Sequence, residues 1–165
     1  MLMRVMQSKI SKSLEAIIKE TTLRLKQDNT TTSYIDRLII ETLTEEGHFA
    51  TWLLKELIGD SGTRVVMRRV AQSIIHSPII ETAPPEARFT HMCTTLSKVL
   101  SPKRISTAHA LFYATSDSTT ATSHELRGYG IKSEDILYAI DSVVEWKIRP
   151  ALEELVIISR DIKPS

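Results

Sequence analysis

A single cysteine, Cys93, stands among the 165 residues of this chain. One thiol excludes an intrachain disulfide and a cysteine-built zinc cage. Charge of one sign is missing as well. The formal net charge is +1, which leaves no electrostatic case for nucleic acid or for an acidic membrane surface as partner. No apolar run approaches the roughly 20 residues that span a bilayer. The opening stretch, MLMRVMQSKISKS, has neither a continuous apolar h-region nor a small-residue cleavage site. No G-x-x-x-x-G-K-[ST] stretch occurs, so there is no loop of backbone amides with a lysine to hold phosphates. Glycine and proline are scarce, at five and six residues. What remains is ordinary: 42% hydrophobic and 25% charged residues, in a length that suits one compact domain or two tightly packed halves. The expectation is a cytoplasmic protein. Its opening Met is expected to mark a natural N-terminus, of a free-standing protein or of a fragment of a longer chain.

The periodicity is helical almost throughout. Ile10, Leu14, Ile17, Thr21 and Leu25 follow a three-to-four spacing and give a first helix one apolar stripe. The polar run DNTTTS, residues 28–33, interrupts it. Ser33 is an N-cap with Asp36 three residues on, a short version of a capping box. The helix that follows carries Ile35, Leu38, Ile39, Ile40 and Leu43, apolar on more than one face and therefore central. Gly47 ends it. A short third helix over 49–57 stops near Gly59, and a fourth runs from about Gly62 to His76. The stretch SPIIETAPP, residues 77–85, has three prolines and no helical period, and is the one clear linker. Pro85 suits the first position of a helix, where its missing N–H costs nothing. The pattern then restarts with a helix over about 86–100, one from Thr107, its expected cap, a short one to about Arg127, and a long one from Ser133 to about Arg149. The tail, 150–165, is apolar enough to pack against something.

Helix, polar loop, buried helix, short helix, glycine and long helix therefore occur twice, at an offset of about 71 residues. Two copies at that length are not a solenoid. The expected fold is all-α: a first four-helix repeat over 8–76, the linker 77–85 and a second repeat over 86–149, about eight helices packed with pseudo-twofold symmetry. Neither half can bury on its own a helix that is apolar all round.

These residues resemble the Clp repeat, the N-terminal domain of the Clp unfoldases. The family's run of Val-x-Thr-Glu-His followed by leucines is matched in the second copy by Ile105, Thr107, His109, Leu111 and Phe112. Ala121, Leu126, Gly130 and Ile131 follow. In the first copy Ile39, Ile40, Leu43, Glu45, Glu46 and Gly47 match, then Ala50, Leu54, Leu57 and Gly59. The resemblance implies a non-catalytic protein-interaction module, without cofactor or metal. It would bind a protein or peptide: a substrate, an adaptor or a subunit of an ATP-dependent Clp protease or chaperone. The family's glutamate falls at Arg37 in one copy and Ala108 in the other. In some relatives that glutamate helps to bind phosphoarginine. Two lost carboxylates, one replaced by a cation, imply no preference for that ligand and a taste for apolar or acidic peptides near Asp36, Arg37, Thr107 and His109.

Other residues invite chemistry and are better explained by structure. His91 and Cys93 diverge on a helix and do not share an ion readily. Ser123, His124 and Glu125 are consecutive, so they cannot align as nucleophile, base and orienter. Arg64, Arg68 and Arg69 form the densest basic cluster, a solvated helix face or a contact for an acidic partner. Trp52 either fills the core beside Phe49 or is an exposed anchor for a partner peptide. A helix-turn-helix DNA-binding protein is the alternative, from LLKELIGDSGTRVVMRRV, as is a helical scaffold unrelated to Clp function. Against the DNA reading, Lys55 stands where the helix crossing needs a small residue, and Asp60 where the turn needs an apolar one.

Overall fold

The computed structural model describes residues 10–28, 33–76, 84–100 and 105–145. Seven helices make up these residues, and no strand occurs among them: α1 (Lys12–Asp28), α2 (Tyr34–Thr44), α3 (Phe49–His76), α4 (Pro85–Val99), α5 (Thr107–Ser116), α6 (Ala121–Gly128) and α7 (Ser133–Glu145). One isolated parallel bridge joins Ile10 to Ile105, with the Ser11 amide donating to the Ile105 carbonyl at 2.9 Å. The protein is all-α. Most of the expected linker, 77–83, and the expected tail, 150–165, lie outside the described residues.

Two helices occupy the middle. In α2, Tyr34, Ile35, Leu38, Ile39 and Leu43 are buried on several faces, as their spacing predicts. In α5 an unbroken stretch, Thr107 to Leu111, is buried, with Ala114 and Thr115 beyond it. α3 packs against α2, α5 and α6, and α7 packs against α5. Leu14, Phe49, Leu54, Val66, Met92, Leu111, Leu126 and Ile136 are among the side chains the core removes from water. Full burial of each such side chain is worth roughly 1.5–3 kcal/mol.

α3 holds the expected third and fourth helices, which meet at a break within it. Gly59 within α3 has φ 79° and ψ 171°, a conformation in which a Cβ is strained. Beyond the break, Thr63 Oγ1 donates to the Gly59 carbonyl at 2.8 Å. Positive φ recurs at Gly47, 95°, and after α6 at Gly130, 74°. There the Ile131 amide reaches back to the Leu126 carbonyl at 3.0 Å, closing that helix in a Schellman turn.

Several local expectations are refined by the geometry. α2 stops at Thr44, with Glu45 as its C-cap, three residues before Gly47. Ser33 caps α2, but its Oγ accepts from the Asp36 amide at a long 3.4 Å, and the Asp36 carboxylate turns elsewhere. α5 is capped by Ser106, one residue earlier than Thr107. Pro85 does open α4.

Candidate functional site

The side chains expected to meet a partner are mostly turned to holding the two central helices against the short ones. Asp36 is 1% exposed. Its Oδ2 accepts from the Ala121 amide at 2.9 Å, and its Oδ1 accepts from the Thr122 amide at 3.0 Å and from Thr122 Oγ1 at 2.8 Å. The carboxylate thus satisfies two of the amides that α6 leaves free at its start and complements that helix's positive end. Thr120, the local N-cap, supplies the remaining bond by accepting from the Ser123 amide at 3.0 Å. Two caps, one local and one from α2, define the first turn of an eight-residue helix.

A second tie runs in the opposite direction. Thr107, wholly buried at the first turn of α5, accepts from the Ala50 amide at 3.0 Å. Its hydroxyl therefore serves the start of α3. Asp36 and Thr107 are 71 positions apart, as are Ala50 and Ala121, and as are Gly59 and Gly130.

His109 completes the cap of α5. Its Nδ1 accepts from the Ser106 amide at 3.0 Å and lies 2.8 Å from Ser106 Oγ, while Ser106 Oγ faces the His109 amide at 3.4 Å. This is a capping box with an imidazole in the place usually taken by Glu or Gln. It needs a lone pair on Nδ1, hence a neutral ring carrying its proton on Nε2. Burial of the ring, 7% exposed, drives its pKa down to about 4.

Arg37 is half-buried and lies 3.6 Å from Glu41, which Arg24 also approaches at 3.5 Å. Ala108, the other position of the family's glutamate, is fully buried. Trp52 is half-buried against the core, its ring 6.3 Å from that of Phe49 at a 41° tilt. The structure therefore brings Asp36, Thr107 and His109 into the interior, with the Asp36 carboxylate, the Thr107 hydroxyl and His109 Nδ1 engaged in hydrogen bonds. It leaves parts of Arg37 and Trp52 at the surface. Beside the Asp36 tie lies a cleft of about 330 Å³ between the start of α2, the end of α3 and the start of α6. Ser33, Ser73, Ser118, Thr119 and His124 line it. Single residues in the sequence gave no sign of this cleft, since its walls come from three separated segments.

Compared with known protein families, with curated proteins and with solved structures, the chain matches none of them.

The remaining chemical candidates sort by geometry. Ser123 is buried, and its Oγ donates to the Thr115 carbonyl at 3.3 Å; its neighbour His124 is exposed. Burial pushes the Cys93 thiol up to about 12, the opposite of a reactive thiolate, and His91 on the same helix points to solvent. Among the described residues no three His, Cys, Asp or Glu side chains converge to hold a metal ion. Among them, too, no helix is long and apolar enough to cross a membrane.

Proposed function

We propose that this chain is a non-catalytic protein-interaction module built as two four-helix repeats, of the kind found at the N-terminus of Clp unfoldases. The observation that carries the reading is the pair of cross-ties. Asp36 caps the helix that starts at Ala121, and Thr107 caps the helix that starts at Phe49 by accepting from the Ala50 amide. Donors and acceptors are both displaced by the same 71 residues that separate Gly59 and Gly130, two of the three glycines with positive φ among the described residues. A duplicated unit whose copies clasp each other produces such reciprocity directly; an unrelated helical scaffold has no reason to. On this reading the break at Gly59 divides α3 into the third and fourth helices of the first repeat, and Gly130 marks the same point in the second.

The partner is a protein or peptide segment: a substrate, an adaptor or a subunit of an ATP-dependent Clp protease or chaperone. The cleft beside Asp36 is the place for it, with Arg37 next to Asp36 along α2 and the partly exposed Trp52 of α3 as a further contact. Hydroxyl groups and an imidazole line the cleft, and they hydrogen-bond a peptide backbone or a carboxylate without demanding a particular side chain. Arg37 and Ala108 in place of two carboxylates support discrimination against phosphoarginine, because a guanidinium repels a guanidinium and pairs with acids. No turnover of ATP or peptide by this chain is expected.

Affinity capture from the cells that make the protein tests the proposal, followed by identification of what is retained. Retention of a Clp-type ATPase or adaptor, lost when the bulky Ser118→Trp fills the cleft, supports it. Salt-sensitive retention of DNA in place of protein would favour the helix-turn-helix reading instead. Titration calorimetry gives the specificity: acidic peptides bind, phosphoarginine does not, and Arg37→Glu weakens the acidic peptide by about 0–1 kcal/mol, the worth of an exposed pair.

A further inference from the structure

Two helical faces carry charge of a single sign, and the site above uses neither. Every charged residue of α3 from 61 to 75 is an arginine: Arg64, Arg68 and Arg69. Every charged residue of α7 is an acid: Glu134, Asp135, Asp141 and Glu145. Two of these have local duties. Arg69 lies 3.8 Å from Glu125, and Asp135 accepts from the Lys132 amide at 2.8 Å. Arg64, Arg68, Glu134 and Asp141 are exposed and form no ion pair among the described residues.

The helical period puts each set on a stripe with an apolar residue. Arg64, Arg68 and Ile75 are spaced by four and seven. Glu134, Tyr138 and Asp141 are spaced by four and three. Both spacings repeat along one helix face. Ile75 and Tyr138 are 73% and 75% exposed, more than any other large hydrophobic side chain among the described residues. Each of these two residues sits in a stripe of charge opposite to the other's.

We propose that the arginine stripe of α3 docks on the acidic stripe of α7 in a second copy of this chain. Both halves of the complementarity, in sign and in the exposed apolar residue, lie on one molecule; this favours a second copy over an unrelated acidic partner. Glu134 and Asp141 are two turns apart, about 10.5 Å along the axis, with Tyr138 between them. Arg64 and Arg68, one turn apart at about 6 Å, reach a carboxylate and the ring face, where a guanidinium stacks favourably. The two surfaces differ, so the contact is heterologous and propagates into a ring or an open chain. Exposed charges make it weak and sensitive to salt.

Sedimentation velocity of the full chain tests this over a concentration series, at about 20 mM and about 500 mM salt, where screening lengths differ severalfold. The expected result is a weight-average mass that climbs with concentration at low salt and returns to the monomer value at high salt. Two variants sharpen it: Arg64→Glu with Arg68→Glu carries acid on both faces, and Glu134→Lys with Asp141→Lys carries base on both. Each alone should associate at least about tenfold more weakly than the unmodified chain, the worth of roughly 1.4 kcal/mol. An equimolar mixture should recover association, because each variant offers what the other lacks. All four positions are exposed, and circular dichroism confirms that both variants keep their helices. The proposal is overturned by an unmodified chain that stays monomeric at low salt, by association that survives either double reversal, or by a mixture that fails to recover it.

Discussion

Acidification should destabilise this fold through His109 more than through any exposed histidine. An ordinary histidine binds its proton near pH 6.5; in the folded chain the value falls to about 4 because the ring is buried. Between those values the unfolded chain holds a proton that the folded chain refuses, so stability falls as the pH falls. At roughly 1.4 kcal/mol per pH unit, the loss approaches about 3 kcal/mol by pH 4, with none of it felt above about pH 7. The geometry gives the same sign. A proton on Nδ1 would face the Ser106 amide, which already donates to that nitrogen at 3.0 Å. The control is His109→Gln, which keeps an acceptor suited to a capping box and cannot titrate. Urea unfolding of both chains from pH 7.5 to pH 4 isolates the contribution from the carboxylates that titrate in both. The unmodified chain should lose about 3 kcal/mol more than the variant over that range. Parallel stability curves would refute the reasoning, as would a His109 ring that titrates near pH 6.5 by NMR in the folded protein.

Asp36→Ala leaves the Ala121 and Thr122 amides without their acceptor in the interior, and chemical denaturation should register a loss of about 2–4 kcal/mol. Thr107→Val keeps the shape and removes the acceptor of the Ala50 amide, for about 1–2 kcal/mol in the same assay. Gly59→Ala places a Cβ on backbone at φ 79° and should cost about 1 kcal/mol, read as a fall in Tm, although nothing lies within 4 Å of the added carbon. Cys93 should resist thiol reagents at pH 8, since a pKa near 12 leaves about one thiolate in ten thousand; labelling should appear only as denaturant opens the core.

The helical class and the central place of α2 were legible because burial on several sides demands apolar residues off the single stripe, and Ile35, Leu38, Ile39 and Leu43 supply them. Pro85 announced the start of α4, since its missing N–H is tolerated only there. The caps of α5 were harder to read. Ser106 and Thr107 are adjacent hydroxyls, each competent to cap, and only the fold shows that Ser106 serves its own helix while Thr107 reaches across to Ala50. Asp36 has the same character. Its place three residues after Ser33 reads as a local box, yet its carboxylate serves amides 85 and 86 residues away. A spacing pattern records local geometry, and these bonds are decided by which helices meet. His109 stands three residues after Ser106, where a capping box ordinarily carries Glu or Gln, so an imidazole there gives no sign of its role.

The two cross-ties also bear on how the chain reaches its fold. Local caps form as soon as a few residues turn, whereas the tie from Asp36 to Ala121 closes a loop of 85 residues and the one from Thr107 to Ala50 a loop of 57. The entropy of such closures must be met before either bond can form. The starts of α3 and α6 therefore acquire their final caps only when both central helices are already in place. A ribosome delivering this chain releases an α3 that waits for Thr107, more than fifty residues behind it.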